Sequence, residues 1–304
     1  MKPTIKPFVA GKVFKYAHIK RDGHFTNIIK SAVNGKVVCY SSQGTDLTPA
    51  LGGFLPQWRA FQSLPRGASL LGELWLKGCR AADIKTAIAW GNTSLQFHCF
   101  AINSWPHNTG PIAIENWTLE YVADLCDQFK VPFVPYFRLR DMRHAMELME
   151  AIKGPHCIDA KGTPARINGI LLDDVEGLVF KNANLADWHK WKPRKTIDVI
   201  IKGYQGGAGK YVNMLGAIIV QTTEGYEIAN VSGMTDAQRK HISERSAEFI
   251  GKIIEVEYQD VGNNGRLRHP SFIGYRDDKR ADQCSVSQDP DLQLYWEGKT
   301  PLFK

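Results

Sequence analysis

The periodicity of hydrophobic and polar positions divides this chain into two unlike parts. Between residues 27 and 40 two β-branched runs flank Asn34-Gly35, a pairing that predicts a tight hairpin. Strand-like stretches continue at LLGELWL (70–76), LQFHCFAI (95–102), VPFVPYF (131–137), INGILLDD (167–174) and EGLVFK (176–181). Helical patterns interrupt them at 117–130 and 141–152. In the second, Asp141 is placed to cap a stretch whose Met142, Ala145, Met146, Met149 and Ile152 recur at helical spacing, so these side chains are expected in the core.

After WHKWKPRK (188–195) the pattern shortens to IDVIIKGY, LGAIIVQTT, YEIANVSG and GKIIEVEYQDV, with one helical stretch near 235–250. Short strands of this kind predict a small β-barrel such as an OB-fold, an architecture often used to clamp nucleic acid. The expected division is therefore 1–193 and 194–304, with the boundary at Pro193. Beyond about residue 281 no clear pattern is visible.

Composition narrows the class. A chain of 304 residues, 43% hydrophobic, can bury two cores. Its first twenty residues lack a continuous apolar run, so neither a signal peptide nor a membrane span is expected, and a cytoplasmic location follows. The six cysteines (Cys39, Cys79, Cys99, Cys126, Cys157, Cys284) form no C-x-x-C pair, which argues for reduced, mostly buried thiols. A formal net charge of +7 is compatible with a polyanionic partner.

The first chemical candidate is Lys20-Arg21-Asp22-Gly23, a lysine at the edge of an apolar stretch followed by a turn. A lysine amine is nucleophilic only when it sheds its proton, through burial, neighbouring positive charge or a nearby base. Alone, four such residues describe a solvated turn equally well. Behind them, however, come Gly72-Glu73-Leu74 on a strand, an aromatic strand, Glu176-Gly177-Leu178-Val179-Phe180-Lys181, Lys190-Trp191-Lys192, and finally Arg268-His269-Pro270-Ser271-Phe272-Ile273-Gly274-Tyr275-Arg276-Asp277-Asp278-Lys279. In this order they resemble the nucleotidyltransferase motifs of the covalent ligase and mRNA-capping superfamily, from about residue 16 to residue 279. The last string is similar to that of ATP-dependent DNA ligases, especially small podophage ligases.

The resemblance implies an α+β fold of two domains: an antiparallel-sheet nucleotidyltransferase (ATP-grasp-like) domain, then an OB-fold β-barrel. It implies that Lys20 takes AMP from ATP, that AMP passes to the 5′-phosphate of a DNA nick, and that the 3′-hydroxyl displaces it to form the phosphodiester. Glu73 and Glu176 would contact the ribose or hold Mg²⁺ (or Mn²⁺). Lys190 and Lys192 would face the α-phosphate, and Phe100 would stack on adenine, with Phe97 the alternative ring. Lys181 would add to the same positive field or form a solvated strand end. Arg268, Arg276, Asp278 and Lys279 would orient pyrophosphate over the bound ATP or meet DNA as a fixed basic patch. The implied partner is nicked duplex DNA, gripped by a monomer, since about nineteen residues before Lys20 leave no room for a further DNA-binding domain.

The chain departs from the family pattern at three places. Phe25 stands where DNA ligases have Arg, Ser41-Ser42-Gln43-Gly44 replaces Ser-Arg-x-Gly, and His18 replaces a Glu of related phage ligases. The glycine-rich Gly203 to Tyr211 segment resembles a P-loop only superficially: it lacks the required glycine spacing and a Ser or Thr after Lys210. It is expected to link strands of the barrel. Rival readings are an RNA ligase or capping guanylyltransferase, and a nick-binding protein with a decayed site.

Overall fold

A computed structural model describes residues 5–79, 81–106, 118–152, 166–168, 170–172, 175–182, 187–262 and 264–298. The chain divides into two compact units, Met1–Pro193 and Arg194–Lys304.

In the first unit the chain runs β1 (Ile5–Pro7), β2 (Tyr16–Lys20), β3 (His24–Lys30), β4 (Val37–Ser41), α1 (Thr48–Leu51), α2 (Trp58–Ser63), β5 (Ser69–Trp75), α3 (Ala81–Ala89) and β6 (Gln96–Ser104). It continues through α4 (Leu119–Gln128), β7 (Tyr136–Arg138), α5 (Met142–Ala151), β8 (Arg166–Ile167), β9 (Ile170–Leu171), β10 (Gly177–Lys181) and β11 (Trp188–Trp191). Two sheets result, in the orders β1-β11-β10-β2-β7 and β4-β3-β5-β6. All their pairings are antiparallel except β1 with β11.

The hairpin read around Asn34-Gly35 is β3–β4, with Gly35 at a φ of 69° that suits a residue without a side chain. Residues 131–137 behave differently from their reading. Pro132 and Pro135 have no N–H to give a ladder, and only Tyr136 and Phe137 enter a strand. Instead the Pro132 carbonyl accepts from the Cys99 amide and the Pro135 carbonyl from the Ile19 amide, so this segment ties β6 of one sheet to β2 of the other.

INGILLDD also differs from its reading. Asn168 adopts a φ of 48°, which folds the stretch into the β8–β9 hairpin; residues 169, 173 and 174 lie outside the described residues. Helices α1, α2 and α3, absent from the sequence reading, bury Leu51, Phe61, Ile84 and Ile88 in the core with Ile28, Leu70 and Phe97. In α5 Asp141 caps as expected, its Oδ1 accepting from the His144 amide at 2.8 Å. Ala145, Leu148 and Ile152 are buried, but Met146 is 53% exposed. The core expectation fails for Met146 because His144 and Leu148 take the inward positions of that turn.

The second unit contains β12 (Lys195–Gly206), β13 (Leu215–Gln221), β14 (Glu227–Val231), α6 (Asp236–Glu244), α7 (Ser246–Phe249), β15 (Ile253–Tyr258), β16 (Asp260–Val261), β17 (Leu267–Arg268), β18 (Ser271–Tyr275) and α8 (Pro290–Trp296). Its sheet runs β14-β13-β12-β15-β18. The two edges meet where the Phe272 amide donates to the Ser232 carbonyl at 2.7 Å and the Ser232 amide to the Pro270 carbonyl at 3.3 Å. Gly233, at a φ of 89°, permits this closure, since a Cβ there would lie 2.1 Å from Ser271 Oγ. Inside lie Ile197, Val199, Ile201, Ile218, Val220, Ile254 and Val256, the inward set of alternating strands.

The glycine-rich segment links β12 to β13. The tail that showed no pattern contains α8, started by Asp289, whose Oδ1 accepts from the Asp291 and Leu292 amides ahead of Pro290 at the first turn. Cys39, Cys99, Cys126 and Cys284 are buried and Cys79 half-buried, all as free thiols; Cys157 lies outside the described residues. Among the described residues no helix is long and apolar enough to cross a membrane.

Candidate active site

Lys20 ends β2, and the turn through Asp22-Gly23 leads into β3. Gly23 is required by proximity: a Cβ there would lie 2.6 Å from the Leu74 carbonyl oxygen and 3.0 Å from the Glu73 Cβ. The turn therefore packs directly on β5 and brings Glu73 to the side of Lys20. On the opposite side β10 pairs with β2, setting Gly177 against Lys20 and Val179 against His18. The Glu176 amide donates to the Lys20 carbonyl at 2.9 Å, which fixes the carboxylate beside the amine.

Glu176 joins two lysines. Its Oε2 accepts from Lys20 Nζ and its Oε1 from Lys192 Nζ. The three side chains are only 19%, 13% and 24% exposed for Lys20, Glu176 and Lys192, so their charges interact with little screening. Burial alone would depress the Lys20 ammonium, but the Glu73 and Glu176 carboxylates outweigh it and hold Lys20 above the ordinary lysine value. Burial pulls Glu176 upward, yet Lys20 and Lys192 win and keep it below the usual carboxylate range. Lys192 is lowered, first by burial, which with the nearby Lys20 charge outweighs the attraction of Glu176. Lys20 is thus held as an ammonium and must lose its proton before it can attack anything.

Lys20 opens on a cavity of about 30 Å³ lined by Ile5, His18, Phe25, Glu73, Phe100, Val134, Val179 and Trp188 together with Ile19 and Lys20. That is room for about one water. Phe100 belongs to this wall, 5.6 Å from Trp188 and 6.2 Å from Phe25 between ring centroids. Phe97 does not. It is fully buried in the neighbouring core, edge-on to Phe61 at 5.4 Å. Three residues apart on β6, the two rings fall on opposite faces of the strand.

Lys190 pairs across from Val179, so it points to the same face of the sheet as that pocket residue, with its side chain exposed. Lys192 follows the end of β11. Lys181 contradicts the reading as a solvated strand end. It is fully buried, its Nζ donates to the Phe100 carbonyl at 2.8 Å, and it lies 3.6 Å from the Trp188 ring centroid. Burial drives its amine well below the ordinary lysine value. The sequence also gave no role to Trp188 as a pocket wall, although its two-residue offset from Lys190 places both on one face.

Arg268, Arg276, Asp278 and Lys279 all lie in the second unit. Arg276 Nε and Nη2 each donate to Asp278 at 2.9 Å, and its Nη1 donates to Asp198 at 3.1 Å. Lys279 lies 3.6 Å from the other Asp198 oxygen, and Glu255 stands 3.7 Å from Arg276. Arg268, in β17, pairs with Asp260. The structure therefore gathers Lys20, Glu73, Phe100, Glu176, Lys190 and Lys192 in the first unit and Arg276, Asp278 and Lys279 as a charged cluster in the second, with Arg268 apart from it on β17. Of the departures from the family pattern, Phe25 is a buried pocket wall, His18 is a buried pocket residue, and Ser42 is exposed in the turn after β4.

Comparison with known proteins bears on the fold and the second domain. Residues 206–276 match the DNA ligase OB-like domain. A DNA ligase of Natronomonas pharaonis is 27% identical over 145 residues, 40% of this chain and 26% of that protein. The DNA ligase of Enterobacteria phage T3 is 27% identical over 116 residues, covering 36% and 33%. These alignments span only about a quarter to a third of the relatives' lengths. Among solved structures, that of a Lig E DNA ligase superposes with a TM-score of 0.60 at 16% identity, covering 90% of this chain and 98% of that one. The second unit thus matches a DNA ligase OB-like domain, and the chain shares the fold of a Lig E DNA ligase.

Proposed function

We propose that the protein is an ATP-dependent DNA ligase that seals nicks in duplex DNA. One observation carries the reading: a lysine amine between two carboxylates at the lip of an aromatic pocket. In the first step the deprotonated Lys20 Nζ attacks the α-phosphorus of ATP; a P–N bond forms, the α–β P–O bond breaks and pyrophosphate leaves. In the second a 5′-phosphate oxygen at the nick attacks the same phosphorus, and the P–N bond breaks. In the third the 3′-hydroxyl attacks the DNA phosphorus, AMP departs and the phosphodiester is made. Positioning and electrostatics supply the catalysis.

Phe100 would stack on adenine, while Lys190 and Lys192 would meet charge building on the α-phosphate. Arg276 and Lys279, with Arg268 and Asp278, would orient pyrophosphate for departure after the second domain closes over ATP. A divalent cation, Mg²⁺ or Mn²⁺, supplies countercharge to the phosphates when bound. Glu73 and Glu176 fit it as hard oxygen donors. Among the described residues no cluster of three His, Cys, Asp or Glu exists, so the remaining ligands would be phosphate oxygens and water, an arrangement Mg²⁺ favours. The net charge of +7 suits a duplex gripped by both domains of a monomer.

The test incubates the protein with Mg²⁺ and a singly nicked duplex, supplying α-labelled ATP, GTP or NAD, and follows protein labelling and strand joining. ATP-dependent labelling with joining is expected, and Lys20→Ala should abolish the label. Labelling by GTP without joining would instead indicate a capping enzyme.

A further inference from the structure

Asp198 lies on β12 between Ile197 and Val199, which point into the barrel, so its own side chain turns to the outer face. Carboxylates on an outer face are ordinarily solvated, yet this one is 12% exposed. The C-terminal segment covers it. β13 pairs with β12 only from Ile200 onward, which leaves the Asp198 backbone open on that side. Gln288 takes the place of the missing strand: its Oε1 accepts from the Asp198 amide at 3.0 Å and its Nε2 donates to the Asp198 carbonyl at 2.9 Å. The carboxylate so fixed holds two cations. Oδ1 accepts from Arg276 Nη1 at 3.1 Å, and Oδ2 stands 3.6 Å from Lys279 Nζ. Glu255 lies 3.7 Å from the same Nη1. The other edge of the guanidinium, Nε and Nη2, is gripped at both nitrogens by Asp278, whose side chain is 66% exposed. That two-pronged grip is the one an arginine also offers to a phosphate.

We propose that Asp198 is a positioning residue for pyrophosphate departure: it keeps Arg276 Nη1 and Lys279 in place, so that the Nε and Nη2 edge exchanges Asp278 for a pyrophosphate oxygen pair without the guanidinium being re-aimed. The inference rests on the ligase reading, which assigns Arg276 and Lys279 to pyrophosphate, and adds a residue to which neither motif nor spacing pointed. Burial supplies the reason. Asp198 is enclosed and backed by Gln288, so releasing its cations would leave a carboxylate unpaired away from water, whereas Asp278 can turn to solvent at little cost. An arginine already held at one nitrogen gives up less freedom when it engages a ligand with the other two. Asp198 touches neither nucleotide nor pyrophosphate in this arrangement and acts only through the two cations.

The experiment loads the full chain with labelled AMP, adds pyrophosphate, and follows release of the label as ATP against pyrophosphate concentration. In that reversal a pyrophosphate oxygen attacks the adenylate phosphorus, a P–O bond forms, the P–N bond to Lys20 breaks and the amine takes up a proton from solvent. Asp198→Asn keeps the shape and an acceptor for Arg276 but removes the charge. It should raise the pyrophosphate concentration for half-maximal reversal by about tenfold. With Arg276→Ala and Lys279→Ala already in place the same substitution should have no further effect, because the two cations carry its whole influence; a general loss of stability would add instead. Gln288→Ala frees the Asp198 backbone and leaves the charge, so it should shift reversal the same way by about threefold, and it carries the test if Asp198→Asn does not fold. Reversal unchanged by these substitutions, or impaired equally with and without the two cations, would overturn the assignment. Reversal indifferent to Arg276→Ala and Lys279→Ala would remove pyrophosphate from the reading of those residues, and this inference with it.

Discussion

The Lys20 and Arg276 clusters use the same ingredients and differ in the exposure of one carboxylate. Each holds a cation against carboxylates: Lys20 and Lys192 on Glu176, Arg276 and Lys279 on Asp198, with Asp278 added. The first is mostly buried and strongly coupled, and every member shifts another's titration. In the second, Asp198 is as buried as Glu176, at 12% side-chain exposure, but Asp278 stands 66% exposed, so water screens the Arg276–Asp278 attraction and that pair contributes little to stability. Burial thus makes the first cluster a fixed device whose charge must balance. The exposure of Asp278 lets Arg276 exchange that partner cheaply, which suits a residue proposed to engage a nucleotide only at one stage.

The largest expected effect lies in the buried cluster. Glu176→Gln would remove the carboxylate that two mostly buried ammonium groups share, and denaturant unfolding should register a loss of about 3 kcal/mol. Asp278→Ala should leave the melting temperature unchanged; a comparable loss at both sites would break the contrast.

The buried cluster also has a pH signature. Glu176 titrates below its unfolded value, so its stabilising contribution is fully present above the unfolded carboxylate range and is lost as pH falls through its lowered folded value. Lys20 titrates above its unfolded value, so its contribution persists below the ordinary lysine range and is lost only as pH rises through the folded value. Stability measured against pH should therefore fall on the acid side in the wild type and fall less steeply there in Glu176→Gln. Equal acid slopes would remove Glu176 as the cause.

Kinetics sharpen the comparison further. Arg276→Ala and Lys279→Ala should slow self-adenylylation by about tenfold or more while sparing sealing of DNA that is already adenylylated. Equal loss in both assays would make these residues DNA contacts. The smallest effect belongs outside both clusters: Met146→Gln on the exposed side of α5 should move stability by less than about 0.5 kcal/mol, whereas the same change at Leu148, which is buried, should cost several times more.

Much of this was legible in order along the chain. The Asn34-Gly35 hairpin, the Asp141 cap, the alternation of the barrel strands and the order of the motifs are local features, written within a few residues of one another. The α8 start was equally local, since Asp289 before Pro290 is a helix beginning, but no apolar period accompanied it to draw attention. The alternation Tyr16-Ala17-His18-Ile19-Lys20 already put His18 on the face of Lys20, though not what that face would meet.

Tertiary structure alone decided the rest. It chose Phe100 over Phe97 as the pocket ring, because alternation puts the two on opposite faces of β6 without saying which face meets the pocket. It buried Lys181 against Trp188 and tied residues 131–135 between the two sheets. It also joined Lys20 to Lys192 through Glu176, across 156 and 16 residues of chain. The sequence by itself determined which groups the protein has and on which local face each stands; their protonation depends on burial and on charges brought from distant segments, and these exist only once the sheets have packed.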